Sequence, residues 1–188
     1  MSRLKSGLIL FPAREEYAPA DQAMLVSTLA SLGLTGKPLT TDSWLAGEEF
    51  VSLVSFLGCS PHIILTPEEG ENYCRIRWLN WQHPVFLGHT RSIQPRCPHC
   101  KNRINNWKAI PQIDRFDTPV SCPQCQLTTP ASGLNWRHEG GYASAALIIE
   151  PVHPHEAVPA DALLSQLQHL TQCEWRYCYV EETEQYAK

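Results

Sequence analysis

An α+β fold is predicted from three features of this 188-residue chain. Near each end, a short apolar run closed by proline leads into a Pro-Ala-Asp helix opening. In the middle, Tyr73, Arg75 and Arg77 alternate with Cys74, Ile76 and Trp78, the period of a half-buried strand. Between the middle and the second unit stand two Cys-Pro-x-Cys turns, which mark a module with its own organisation.

Residues 7–11 are apolar and end at Pro12, which predicts a first strand. The preceding Arg3 and Lys5 give this run the look of an export signal. It is too short for one, however, and Pro12, Arg14, Glu15 and Glu16 end it without a small-residue cleavage site. Pro19-Ala20-Asp21 then opens a helix, because proline suits a first turn and an early acid complements the helix dipole. Leu25, Leu29 and Leu32 recur at i, i+4 and i+7 on one face of it, and Gly33 is the expected C-terminal cap. Thr41-Asp42-Ser43 suggests the cap of a further helix. Phe50, Val51, Leu53, Val54 and Leu57 continue it at helical spacing, although their Val and Phe content also suits a strand. Residues 62–66 and 73–79 are predicted as two strands joined by Pro67-Glu68-Glu69-Gly70, with a further short strand at 84–87.

Near the other end, residues 145–149 are again apolar and closed by Pro151. Pro159-Ala160-Asp161 opens a helix with Leu163, Leu167 and Leu170 on one face. At an offset of 140 residues Ile9 matches Ile149, Glu16 matches Glu156, and the two Pro-Ala-Asp openings coincide. Such a repeat predicts duplicated strand–helix units, with a ferredoxin-like sheet as the leading topology. Chance remains the alternative, since Pro-Ala-Asp is a common helix start. Residues 174–180 form a final aromatic-rich strand, followed by a polar tail. The chain therefore divides into a first half of the α+β domain (1–90), an insertion (91–137) and a second half (138–188).

The insertion carries the chemistry. Cys97, Cys100, Cys122 and Cys125 form two Cys-x-x-Cys turns separated by 21 residues. Four thiolates at this spacing suit tetrahedral coordination of one metal ion, and zinc favours that ligand set because a d10 ion imposes no competing geometry. The Cys-Pro-x-Cys form resembles the knuckles of zinc-ribbon domains, over residues 95–130 only, and the insertion is called the ribbon below. A site with four sulfur ligands has no open position for water, so one structural zinc is expected. Iron is the competing metal, because rubredoxin-type sites use the same four ligands. His99 lies inside its own knuckle and is expected to point away from the metal.

Composition sets the remaining bounds. With 43% hydrophobic and 18% charged residues, the chain reads as an ordinary soluble globular protein. No apolar run is long enough to cross a bilayer. Of the eight cysteines, Cys59, Cys74, Cys173 and Cys178 stand singly in apolar or aromatic surroundings. That is the usage of a reducing compartment, and a cytoplasmic location is expected. Cys173 and Cys178 are read as core thiols, and His153-Pro154-His155 as too constrained to share a metal ion. Neither a Gly-x-Ser-x-Gly elbow nor His-Glu-x-x-His is present.

Charge divides unevenly. Residues 1–90 carry a net −3, residues 91–137 a net +5 and residues 138–188 a net −6. Zinc bound by four thiolates would leave the ribbon at about +3. A basic segment in an acidic protein points to an acidic partner, either nucleic acid or an acidic protein surface. Lys101, Arg103, Trp107, Lys108 and Arg115 mix cations with aromatic faces and are the candidate partner-binding residues, with Phe116 beside them. Trp107 and Phe116 also suit the ribbon's own small core. The sequence thus predicts a non-enzymatic zinc-ribbon protein that binds a partner through its basic ribbon. Two alternatives stand beside this. One is an enzyme with a cleft between body and ribbon, where Arg75, Arg77, His83, His89 and His138 are the residues to follow. The other is a rubredoxin-like redox module.

Overall fold

The computed structural model describes residues 6–17, 22–57, 63–70, 72–88 and 93–181. Its strands are β1 (Gly7–Pro12), β2 (Thr35–Thr40), β3 (Ser43–Ala46), β4 (Val54–Phe56), β5 (Arg75–Gly88), β6 (Pro119–Ser121), β7 (Thr128–Pro130), β8 (Gly140–Glu150), β9 (Ala157–Pro159) and β10 (Trp175–Val180). Its helices are α1 (Gln22–Ser31), the single turn α2 (Phe50–Leu53) and α3 (Asp161–Thr171). The fold is α+β, with mostly antiparallel strands.

Both expected strand–helix units form. Every residue of β1 is buried, and α1 turns Leu25 and Leu29 inward. The Pro19-Ala20-Asp21 opening lies outside the described residues. Gly33 ends α1 at φ 72, where a Cβ would also lie 2.9 Å from the Glu49 side chain. The main sheet has the order β10-β1-β8-β5-β3-β2, all neighbours antiparallel. Its first four strands interleave two split units, β1-α1-β5 and β8-α3-β10, which is the ferredoxin-like arrangement. Leu25 and Leu29 of α1 and Leu163 and Leu167 of α3 share one core with Leu8, Leu10, Ile76, Leu147 and Ile149. The β2–β3 hairpin widens the sheet beyond β5.

Three local expectations give way to pairing. Thr41-Asp42-Ser43 caps no helix. It turns the β2–β3 hairpin, with Asp42 N–H donating to Thr40 Oγ1 at 3.3 Å. Ser43, Trp44 and Leu45 pair with Arg77, Ile76 and Arg75, and the burial of Trp44 outweighs the local cap signal. The helix expected over 50–57 lasts one turn, because Val54, Ser55 and Phe56 pair with Pro159, Val158 and Ala157. Of the strand expected over 62–66, residues 63–66 join no strand, and among the described residues the predicted hairpin reduces to one backbone bond, Cys74 N–H to Ile64 O at 2.6 Å. His62 lies outside the described residues. The short strand expected at 84–87 is the far part of β5, beyond a register shift between Asn80 and Val85.

All eleven residues of β8 are buried, because both of its faces are covered. On the face away from the helices, Ile148 packs with Ile9, Phe11, Leu79, Leu87, Cys178 and Val180. Small residues in β8 make room for large neighbours: a Cβ on Gly141 would sit 2.5 Å from the Phe11 ring. Burial pushes the Cys74 thiol up to about 12, with the nearby Glu150 charge adding to it, and desolvation also raises Cys178. These are inert core thiols. No described helix is long and apolar enough to cross a membrane.

That apolar face ends in a buried ionic cluster. Glu150 is fully buried. Arg75 Nε donates to its Oε1 at 2.7 Å, Arg77 Nε to the same oxygen at 2.9 Å, and Arg77 Nη2 to Oε2 at 3.2 Å. Taking this carboxylate out of water is tolerable only because donors reach both of its oxygens. Replacing Glu150 by Ala would leave two guanidiniums facing each other in a partly dry site. The change should lower the unfolding free energy by about 3 kcal/mol in urea titration, the scale on which buried pairs lose stability when one partner is removed.

Candidate metal centre

The ribbon grows out of the far end of the β5–β8 ladder, where Gly88 pairs with Gly140. Its two knuckles have the same backbone design. In the first, Cys97 N–H donates to Asn102 O at 2.9 Å and Lys101 N–H to Cys97 O at 3.0 Å. In the second, Cys122 N–H donates to Leu127 O at 3.0 Å and Gln126 N–H to Cys122 O at 2.9 Å. The residue after each second cysteine adopts a left-handed conformation, Lys101 at φ 64 and Gln126 at φ 61. Arg96 bridges both Arg103 and Asn135, which ties the first knuckle to the end of the ribbon, while β6 and β7 carry the second.

These turns bring four sulfurs together. All four lie within 4.8 Å of one another, with Cys97 Sγ 3.7 Å from Cys125 Sγ and Cys100 Sγ 3.6 Å from Cys122 Sγ. Metal–sulfur bonds of about 2.3 Å in a tetrahedron imply sulfur–sulfur edges of about 3.8 Å. The donor set therefore fits a four-coordinate metal ion, and Cys97, Cys100, Cys122 and Cys125 could hold it. Backbone donors favour the thiolate form of Cys97 and Cys122, whereas burial and the neighbouring thiols push Cys125 up to about 12. N–H groups of Cys125 and Gln124 lower Cys122 to about 6, and those of Cys100 and His99 lower Cys97. His99 is exposed, and its Nε2 lies 3.3 Å from Thr129 Oγ1, so its ring is engaged outside the sulfur cluster.

The sulfurs sit on a real core. Cys97 and Cys122 pack with Ile104, Trp107, Val120, Leu134 and Trp136. Phe86 of β5 and Tyr142 of β8 join the same cluster, with Phe86 5.1 Å from Trp136 and 5.6 Å from Trp107 between ring centroids. Trp107 Nε1 donates to Ile93 O and Trp136 Nε1 to Ala131 O, each at 2.8 Å. The ribbon is thus fastened to the sheet by aromatic packing. At its exit, His138 lies flat on Tyr177 at 4.0 Å, and Tyr179 N–H donates to His138 O at 3.2 Å.

The candidate partner-binding residues scatter in role. Lys101 and Arg103 are exposed. Lys101 Nζ donates to Pro98 O at 2.7 Å, and Arg103 Nη1 to Gln94 Oε1 at 3.3 Å. Lys108 is exposed and stands 5.7 Å over the Trp107 ring. Arg115 is clamped in a fork by Asp117 at 3.2 and 3.0 Å. Trp107 is only 4% exposed and offers no open face for stacking, because the small ribbon spends it on its own core. Of the residues followed for an enzyme, Arg75 and Arg77 serve Glu150 at the opposite end of β5 from the ribbon. His83 is exposed, His138 stacks on Tyr177, and His89 lies outside the described residues. The four that are described do not converge.

Two hollows do occur where ribbon and sheet meet. One of about 490 Å³ lies among Glu16, His83, Phe86, Asp114 and Phe116, and one of about 320 Å³ among Glu15, Trp136, Arg137, Tyr142 and Arg176. Sequence reasoning missed Glu15, Arg137 and Arg176, which come from three distant segments with no shared motif. It also missed Glu150, whose signal was legible as an acid ending an otherwise apolar run.

No protein-family model, no curated protein and no solved structure matches this chain. The reading of the site rests on its geometry alone. Replacing Cys97 by Ser should release the bound metal and melt the ribbon, because metal affinity at such sites is folding energy. Loss of the near-ultraviolet dichroism of Trp107 and Trp136, in step with metal content, is the expected readout.

Proposed function

We propose that the ribbon holds one structural zinc ion and presents a basic surface to an acidic partner, with nucleic acid the first candidate. Support for zinc comes from four sulfur donors at tetrahedral spacing. With four protein ligands no position is left for substrate or water, so the metal's task is to fix the two knuckles relative to each other. A site made of thiolates needs a reducing compartment, which supports a cytoplasmic location.

One observation carries the partner reading. Arg96, Lys101, Arg103 and Lys108 have no carboxylate partner among the described residues, whereas Arg75, Arg77 and Arg115 all do. Arg96 and Arg103 even stand opposite each other across a bridge, an arrangement of like charges that costs stability unless an anion relieves it. Since Trp107 is buried, the surface suits phosphate contacts rather than base stacking.

The enzyme alternative draws support from the two hollows at the body–ribbon junction. Against it, Arg75, Arg77, His83 and His138, the described residues singled out for catalysis, are dispersed. The redox-module alternative separates by colour, since an iron site would make the pure protein red. A colourless preparation with one zinc per chain removes that alternative.

Wild-type protein should be retained on duplex DNA or RNA at low salt. Four phosphate contacts on a duplex would give a log–log salt slope of about −3 to −4. The triple variant Lys101→Glu, Arg103→Glu and Lys108→Glu should abolish retention while keeping its metal. If wild-type protein shows no binding at low salt, the nucleic-acid branch is discarded and an acidic protein partner remains.

A further inference from the structure

The smaller hollow, of about 320 Å³, has a chemistry that the basic ribbon surface does not use. Four separate parts of the chain build its walls: Glu15 from the loop after β1, Asn135, Trp136 and Arg137 from the end of the ribbon, Tyr142 from β8, and Arg176 from β10. Both signs of charge line it, and they do not neutralise each other. The half-buried Glu15 carboxylate has no hydrogen bond or ion pair among the described residues, and neither has the Arg137 guanidinium. Arg176 makes only a loose 3.6 Å contact with Glu174, each of these side chains being more than half exposed.

Flexible side chains of opposite charge around one small hollow ordinarily close on each other. Here the backbones that carry them are pinned apart. Glu15 O accepts from Ser144 N–H at 2.7 Å, and Ala13 N–H donates to Glu174 O at 2.8 Å, which fixes the loop after β1. Arg137 is held at φ 58, its N–H donating to Asn135 Oδ1 at 3.1 Å, and the next residue is stacked on Tyr177. A non-glycine residue in this conformation carries backbone strain, of the kind that persists where the surrounding structure imposes it. The polar atoms of Trp136 and Tyr142 are already committed to Ala131 O and Ile113 O. These two residues therefore offer ring carbon to the hollow. The lining is more polar than apolar, which suits a charged ligand, and the volume stands at the small end of the range of about 300–1,000 Å³ usual for small-molecule sites.

We propose that this hollow binds a small zwitterion. The anionic end, a carboxylate or a phosphate, pairs with Arg137 and Arg176, and the ammonium end pairs with Glu15. Free α-amino acids and phosphoethanolamine are the simplest compounds with this chemistry, and they differ in the anion that the arginines receive. Guanidinium forks accept either anion, so both sources enter the test. The site is separate from the surface formed by Lys101, Arg103 and Lys108.

The test is a titration of the metal-loaded full chain, followed by calorimetry or amide chemical shifts. The panel contains glycine, alanine, leucine, glutamate and phosphoethanolamine. Acetate, inorganic phosphate and methylamine serve as one-ended controls. At least one zwitterion should bind about tenfold or more tightly than its one-ended controls. Glu15→Gln should bring the zwitterion and its one-ended anionic control, acetate or inorganic phosphate, to within about twofold of each other, because it removes only the partner of the ammonium. Arg176→Ala and Arg137→Ala should each weaken both by about tenfold. If Arg137→Ala does not fold, Arg176→Ala decides, since that side chain is mostly exposed. The triple variant of Lys101, Arg103 and Lys108 should bind as wild type does, which separates this site from the polyanion surface. The proposal is overturned if no zwitterion in the panel binds at about 10 mM, if the one-ended controls bind equally well, or if Glu15→Gln keeps the full discrimination.

Discussion

The β5–β8 ladder is the constraint on which the rest of this molecule depends. It runs from Arg75 opposite Glu150 to Gly88 opposite Gly140. At the first end its register sets the carboxylate of Glu150 between two guanidiniums, and a slip of one residue would turn Glu150 to the helix face among leucines. At the other end the same ladder presents Phe86 and Tyr142, against which the ribbon's tryptophans pack edge-on or tilted. A ferredoxin-like sheet needs only a short connection between these two strands. This chain puts the four-cysteine ribbon there instead, and extends both strands to support it.

The ribbon thereby becomes an extension of the sheet. Its core is too small to be stable by hydrophobic burial alone, and two sources of order are combined: a sulfur cluster that fixes the knuckles, and an aromatic cluster shared with the body. This division explains why Trp107, which looked available for stacking, is inside. Trp107 and Trp136 are the bulk that a short hairpin needs, with each indole N–H satisfied by a backbone carbonyl. What remains outside is charge, and on the first knuckle that charge has no counter-ion among the described residues.

Much of the architecture was legible in local patterns. The two apolar runs closed by prolines, the leucines of α1 and α3, the alternation of β5 and the cysteine spacing all act through neighbours a few residues apart. Where the sequence misled, a long-range pairing won. Thr41-Asp42-Ser43 has the chemistry of a helix cap, but Trp44 gains more by pairing with Ile76 over the core. Val54 to Phe56 continue a helical period, yet their β-branched and aromatic side chains suit the ladder with β9 equally, and that partner lies a hundred residues away. The sulfur cluster was readable because its spacing is itself the signal. The junction hollow was not, because Glu15, Arg137 and Arg176 meet only once the whole sheet has formed.

The stack of His138 on Tyr177, with Tyr179 N–H bonded to His138 O, lies along β10, the last strand of the sheet on that side. An outermost strand with free amides invites other chains to add to it. In this protein the ribbon's exit segment acts as the guard of that edge, and the guard keeps its position only while the ribbon is folded. If the four sulfurs hold a metal ion, its occupancy bears on colloidal behaviour as well as on local order. Unfolding of the ribbon would uncover the aromatic cluster that it shares with the sheet and free the outward amide of Tyr179, so its failure mode is self-association rather than quiet loss of a peripheral module.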